Sequence, residues 1–344
     1  MRVLCCCVFC VGPLSYFQLH LLFILVHLTV LLDVVHAHNP LIQRCRSLTY
    51  PTLCPTSCLV YLVHELNSGA EDHFKNTRDG QVDLWRNTAP AYGENNTDFS
   101  TYLYTKEFMR ILDDYSDTTQ TTSSTDNNKP PLFVYMAYQS THGPLQVPQN
   151  WTDIYNISYK PRLLCQGMIS AVDASIGAIV SRLHDMDLFN NSLIIFSSDN
   201  GGPHDHANNY PLRGSKGSNF EGGVRVCAFI NGGIVPEAAR GQSLSDGLMH
   251  ITDWYATLGS LAGYNGTEDA KAAAAGLPAV DSVDQWKFLT SVTASGPSEQ
   301  CPRTNLMLSG SPTDGGALIG QYPDPASANG DVSLFKLIRF VLRK

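Results

Sequence analysis

Leu132 to Tyr138 (LFVYMAY) and Ser192 to Ser198 (SLIIFSS) are two short apolar runs with β-branched and aromatic content. Runs of this kind read as buried strands. Between them Leu164, Met168, Val172, Ile176, Ile179, Val180 and Leu183 recur at three- and four-residue spacing, which makes one apolar face of a helix over about 163–186. Strand, amphipathic helix and strand form a βαβ unit, whose right-handed crossover sets the two strands parallel in a sheet covered by helices on both faces. The expected fold class is therefore α/β. Val224 to Ile230 (VRVCAFI) reads as a third strand. A second helix is expected to start at Thr252, whose hydroxyl would cap the amides of Asp253, Trp254 and Tyr255, and to end near Ala262 before Gly263. In such a sheet the chemistry belongs to loops that leave the strand ends.

Working outward, the chain has 344 residues and 43% hydrophobic composition, enough for a sizeable core. Its net charge of −8 gives no general attraction to nucleic acid or acidic lipid, so nucleic-acid binding is excluded as a starting idea. Residues 1–37 read as a secretory signal: Arg2, then an apolar stretch densest from Phe17 to Leu32, then Val35-His36-Ala37 with small residues at the cleavage site. The alternative is an uncleaved signal anchor, the only route by which a membrane would be a partner. His20, His27 and Asp33 weigh against it.

Sequons at Asn95, Asn150, Asn156, Asn190 and Asn265 point the same way, to glycosylation in the secretory pathway. Cys5, Cys6, Cys7 and Cys10 would leave with the signal; Cys45, Cys54, Cys58, Cys165, Cys227 and Cys301 would remain, with no pairing chosen by the sequence. Residues 38–66 show no period and residues 115–130 are a polar Ser/Thr-rich insertion, so neither is expected to supply a core element. Leu334 to Ile338 is an expected strand.

Ser198-Asp199-Asn200-Gly201-Gly202 follows the second strand directly. A carboxylate and an amide oxygen at a strand end, beside two glycines, suit a hard cation such as Ca²⁺ or Mg²⁺. The same letters also make an ordinary turn. Pro211-Leu212-Arg213-Gly214-Ser215-Lys216, continuing to Glu221-Gly222-Gly223-Val224-Arg225, is the second element. Gln139-Ser140-Thr141-His142-Gly143-Pro144, again directly after a strand, is the third. His142 alone would be an ordinary loop histidine and Lys216 alone a solvated lysine. The Gly214–Ser218 stretch lacks the Gly-Lys-Ser/Thr of a phosphate loop. His204-Asp205-His206 has metal-ligand residue types, but it lies in what resembles a variable loop.

Together the three pieces, S-x-D-N-G-G, P-L-R-G-x-K-x-x-x-x-E-G-G-V-R and H-x-P-L-Q-V-P, resemble motifs of the sulfatase family. Gly69-Ala70-Glu71-Asp72 and His250-Ile251-Thr252-Asp253-Trp254 are similar to its arylsulfatase B branch. The resemblance covers about residues 67–290, a partial catalytic domain; 38–66 is unassigned and 291–344 a remnant of the C-terminal region. It implies the alkaline-phosphatase-like fold, a sulfuric ester hydrolase dependent on Ca²⁺, and a secreted or lysosomal location. By the same resemblance Asp199 and Asn200 are metal ligands, His142 and Lys216 contact the sulfate and the leaving oxygen, and Arg213, Glu221 and Arg225 are structural, the last two as a charge pair.

The family's nucleophile is a formylglycine made from the first residue of C-x-P-x-R or S-x-P-x-R, and the sequence contains neither. Cys54-Pro55-Thr56-Ser57 has its proline one place early. Asp113-Asp114 is a pair, but in a helical-looking segment rather than at a strand end. The expectation is a sulfatase segment inactive as written; its alternative is a noncatalytic secreted binder of sulfated glycans. A phosphoryl-transferring relative is a third reading, against which the Lys216–Arg225 motif argues.

Overall fold

The structure is a computed structural model that describes residues 5–11, 59–63, 65–66, 71–86, 89–117, 131–244, 247–264, 270–305 and 338–341. Its centre is a seven-stranded sheet built from β1 (Cys5–Val11), β2 (Leu59–Val63), β3 (Leu132–Tyr138), β4 (Ser192–Ser197), β5 (Val226–Asn231), β6 (Ser243–Leu244) and β7 (Ile338–Val341). The order across the sheet is β6-β7-β5-β4-β1-β3-β2. β3 and β4 run parallel to each other, as a βαβ unit requires, but β1 lies between them and is antiparallel to both, pairing Cys5 with Tyr138 and Cys6 with Ser197. β2 is parallel to β3, and β5 is antiparallel to β4.

Helices α1 (Ser100–Asp117), α2 (Lys160–Asp185), α3 (Glu221–Val224), α4 (Asp253–Leu261) and α5 (Trp286–Thr290) complete the main frame. Alternation along the strands decides which helices cover which face. Phe133, Leu193, Ile195, Ala228 and Ile230 share one core with Trp254, Tyr255 and Leu258 of α4 and Phe288 and Leu289 of α5. Leu132, Val134, Met136, Tyr138 and Ile194 share the other with Tyr104, Phe108, Ile111 and Leu112 of α1 and Val172, Ile179 and Leu183 of α2. Helix α2 is long and apolar enough to cross a bilayer. Its buried stripe instead lies against the sheet, which makes it a core helix.

Several elements differ from expectation. β2 forms inside the stretch 38–66, which has no period; pairing with β3 supplies an order that a five-residue apolar run cannot display by itself. β5 starts at Val226 because Glu221–Val224 closes a helical turn, with Arg225 N–H donating to the Glu221 carbonyl at 2.8 Å. Thr252 precedes α4 but its hydroxyl does not cap it; the Thr252 Oγ lies 2.9 Å from His250 Nδ1. Asp253 closes this end instead, its carboxylate accepting the His250 N–H at 2.8 Å. β7 begins at Ile338, where the expected strand ends, and residues 334–337 lie outside the described residues.

Residues 5–11 belong to the stretch read as a secretory signal and here take an inner position in the sheet; residues 12–37 lie outside the described residues, as do Cys45, Cys54 and Cys58. Among the described residues Cys165, Cys227 and Cys301 form no disulfide.

Candidate functional site

The turn after β4 carries Asp199 and Asn200, and the loop from Arg213 to Glu221 is laid directly on it. Gly201 N–H donates to the Gly223 carbonyl at 2.8 Å, Gly222 N–H to the Arg213 carbonyl at 2.6 Å, and Lys216 N–H to the Gly202 carbonyl at 3.1 Å. Such crossings leave no room for side chains: a Cβ at Gly201 would stand 1.7 Å from the Gly222 oxygen, and one at Gly222 would stand 2.2 Å from the Gly214 oxygen. The glycine pairs of both motifs are therefore a requirement of backbone contact. Glu221 and Arg225 form the expected pair at 2.8 Å, one helical turn apart. Arg213 is exposed, with its guanidinium 4.1 Å over the Phe220 ring.

Lys216 is held within the field of Asp199, whose charge opposes the fall in Lys216 pKa that burial causes. His142, in the turn after β3, has its pKa lowered by burial first, and further by the positive charge of Lys216 and by His206. The structure thus brings His142, Lys216 and Asp199 into one electrostatic neighbourhood from three separate loops. His142 Nδ1 lies 2.8 Å from the Gly143 carbonyl, so it carries the proton in the neutral ring and leaves Nε2 as the acceptor.

The orientation of the His142 turn depends on residues that sequence reasoning missed. His73 is wholly buried, and its Nε2–H donates to the His142 carbonyl at 3.0 Å while its Nδ1 faces Ser100 Oγ at 3.0 Å. This fixes a neutral ring that accepts from the Ser100 hydroxyl, and burial holds its pKa down at about 4. His73 N–H donates to Gln146 Oε1, Gln146 Nε2 donates to Asp72, and Gln139 Nε2 donates to the Glu71 carbonyl. Residues 71–73 are therefore a backing plate for the His142 turn. The Glu71-Asp72 pair and Gln146 were visible as motif letters, but nothing in the letters showed that they touch.

We expect His73→Phe, which keeps the ring and drops both polar atoms, to cost about 1–3 kcal/mol, because it leaves the His142 carbonyl and the Ser100 hydroxyl without their buried partner. Urea unfolding measures the loss, and hydrogen exchange should quicken at the His142 turn. Unchanged exchange there would show that the ring does not hold the loop.

Asn200 is buried, and among the described residues its Oδ1 has no hydrogen-bond partner. An orphaned hard oxygen beside the Asp199 carboxylate fits a Ca²⁺ ligand pair. Among the described residues no group of three or more His, Cys, Asp and Glu side chains is placed to hold a metal. His204-Asp205-His206 builds no such centre; His206 Nδ1 pairs with Asp205 at 2.8 Å. Of the sequon residues, Asn150, Asn156 and Asn190 are exposed, Asn95 is half-buried, and Asn265 lies outside the described residues.

Residues 64–264 match the family model described as Sulfatase. The chain is 35% identical over 213 residues to mouse Arylsulfatase J, covering 60% of this chain and 31% of that protein. It is 31% identical over 176 residues to mouse N-acetylgalactosamine-6-sulfatase, covering 49% and 30%, and 31% identical over 140 residues to bovine Arylsulfatase A, covering 39% and 25%. The chain thus spans less than a third of the length of each of these relatives. Among solved structures it is similar to Ps i-CgsB, with TM-score 0.49 and 28% identity, covering 60% of this chain and 41% of that one.

Proposed function

The chain belongs to the sulfatase family and has its alkaline-phosphatase-like α/β fold, and from that premise we propose that it is the sulfate-binding part of a sulfuric ester hydrolase. The observation that carries this reading is the backbone lattice that fixes Lys216 against the Asp199 turn, within electrostatic reach of His142. Lys216 would receive the sulfate group, its charge opposing the negative charge that builds as the S–O bond breaks. His142 would lie against the leaving oxygen, which only accepts hydrogen bonds, so help from Nε2 would require that nitrogen to carry a proton and donate it. Asp199 and Asn200 would hold a Ca²⁺, which when bound supplies Lewis-acid polarisation of the ester.

The covalent route needs the formylglycine precursor, and its motif is absent from this sequence. We therefore expect this chain by itself to bind sulfate esters without turning them over. The same absence favours, as a second reading, a noncatalytic secreted binder of sulfated glycans. Passage through the secretory pathway to the outside or to the lysosome fits the exposed Asn150, Asn156 and Asn190, whereas residues 5–11, read from the sequence as part of a cleaved signal, form an inner strand here.

The test is the full chain secreted from animal cells, where glycosidase treatment should raise its mobility, assayed with an aryl sulfate and added Ca²⁺. No aryl alcohol should be released. The ester should bind, and Lys216→Ala should weaken it about 10- to 100-fold, the worth of a charge-assisted hydrogen bond. Turnover that vanishes in Lys216→Ala would show an enzyme with another nucleophile, and absence of binding would overturn the reading.

A further inference from the structure

A second set of hard oxygens lies apart from the Asp199 turn, in the chain between residues 71 and 83. A short hairpin pairs Thr77 with Val82 and Arg78 with Gln81 and so brings its two flanks, Asn76 and Asp83, together, with Asp83 N–H donating to the Asn76 carbonyl at 3.1 Å. Asn76 N–H donates in turn to the Asp72 carbonyl at 2.8 Å, which folds the hairpin back toward Glu71. Asn76 takes a φ of 54°, a left-handed value that asparagine tolerates. Tyr104 of α1 joins the group from the core, where it packs with Leu84 and Phe108.

Glu71, Asn76 and Tyr104 are wholly buried, and Asp83 is only 7% exposed. The Glu71 carboxyl lies beside the Asn76 amide and the Tyr104 phenol and within the field of Asp83, and both carboxylates act on the phenol. None of the groups that act on Glu71 is a cation. Among the described residues neither oxygen of the Glu71 carboxyl and neither polar atom of the Asn76 amide makes a hydrogen bond. Asn76 thus faces Glu71 without closing a bond to it. Buried polar atoms in a native fold call for a partner, and two carboxylates buried near each other repel unless positive charge offsets them. Water meets the first need and not the second, whereas a cation meets both. The donors are carboxylates, an amide oxygen and a phenol, a hard all-oxygen set of the kind that Ca²⁺ takes.

We propose that Glu71, Asp83, Asn76 Oδ1 and the Tyr104 phenol form a buried Ca²⁺ site, separate from the Asp199-Asn200 pair and independent of the sulfate-ester reading, which staples the 71–83 hairpin to α1. Two carboxylates balance the charge of one divalent ion. In metal-free buffer a proton on Glu71 stands in its place, and the ion displaces that proton on binding. The hairpin leads on from His73, whose ring supports the His142 turn, so the ion steadies that turn from behind.

Calcium titration calorimetry and urea unfolding of the full chain, first freed of metal with EDTA, test the site. The Asp199→Ala variant, which removes the other candidate pair, should still bind one Ca²⁺ with a Kd of about 10⁻⁴ M or below, and its urea midpoint should rise when Ca²⁺ is added. In that background Glu71→Gln, which keeps the size of the group and removes its charge, should weaken binding at least about tenfold. Asn76→Gly suits the left-handed backbone and keeps both carboxylates, and it should weaken binding about three- to tenfold. Loss of all Ca²⁺ binding in Asp199→Ala would overturn the site, as would undiminished binding in either further variant. Should circular dichroism show Glu71→Gln unfolded, Asn76→Gly decides alone. A urea midpoint of Asp199→Ala that is the same in EDTA and in Ca²⁺ would show that water meets these atoms, which also overturns the proposal.

Discussion

Arg303→Met should lower the unfolding free energy by about 3–5 kcal/mol, the cost of leaving a buried carboxylate without its counter-charge. Asp253, the first residue of α4, is 0% exposed. Arg303 reaches both of its oxygens, through Nη2 at 2.5 Å and Nε at 2.8 Å, and also donates to the Asp281 carbonyl at 2.7 Å. The same carboxylate accepts the His250 and Val283 N–H groups at 2.8 and 3.0 Å and the Gln285 side chain at 3.3 Å. One charge thus ties the start of α4 to the 281–285 loop and to residue 303. Urea denaturation measures the effect, and Asp253→Asn combined with Arg303→Met should recover part of it, because no charge is then stranded. A loss below about 1 kcal/mol would mean that the pair is replaceable by water, as at a surface.

Stability should also fall as pH rises from about 6.5 to 9, and Glu71→Gln should remove most of that fall. The Glu71 carboxyl is wholly buried; burial first, and then the nearby Asp83, push its pKa up from 4.5 to about 9, with Asn76 and Tyr104 pulling the other way. The unfolded chain releases this proton near 4.5 and the folded chain keeps it to about 9, so in that window the folded state binds one proton more. Each pH unit then costs up to about 1.4 kcal/mol. His73 has the opposite sign, because its folded pKa of about 4 lies below the ordinary 6.5. Its contribution is complete above 6.5 and is lost as pH falls toward 4. The two slopes oppose each other between about 4.5 and 6.5, which leaves a plateau on the acid side and a decline above it. Chemical denaturation at a series of pH values is the measurement; wild type and Glu71→Gln declining in parallel from 6.5 to 9 would rule out Glu71 as the cause.

Both of these groups show what the sequence could and could not reveal. The strands at 132–138 and 192–197 and helix α2 were legible because each buries a continuous apolar pattern of its own period. The glycine pairs around Lys216 were legible as a motif, and the 1.7 Å clearance at Gly201 gives the motif its physical cause. β2 was not legible, since a short edge run has no pattern to show. His73 was not legible either: a histidine in a turn-rich stretch carries no sign that its two nitrogens will meet Ser100 and a carbonyl far along the chain. Contacts that join separate loops are invisible to periodicity, and the backing of the site is made almost wholly of them.

The inner strand β1 has a consequence for the order in which the chain assembles. Residues 5–11 leave the ribosome well before their partners at 132–138 and 192–197, with all of α1 and α2 made in between. Closing loops of that length before any pairing is rewarded is slow, and the apolar CCCVFCV segment has to wait in an unpaired state meanwhile. Until it docks, β3 and β4 each present an open edge, and such edges capture strands from other chains. Folding yield is therefore exposed to changes in residues 5–11 as well as final stability.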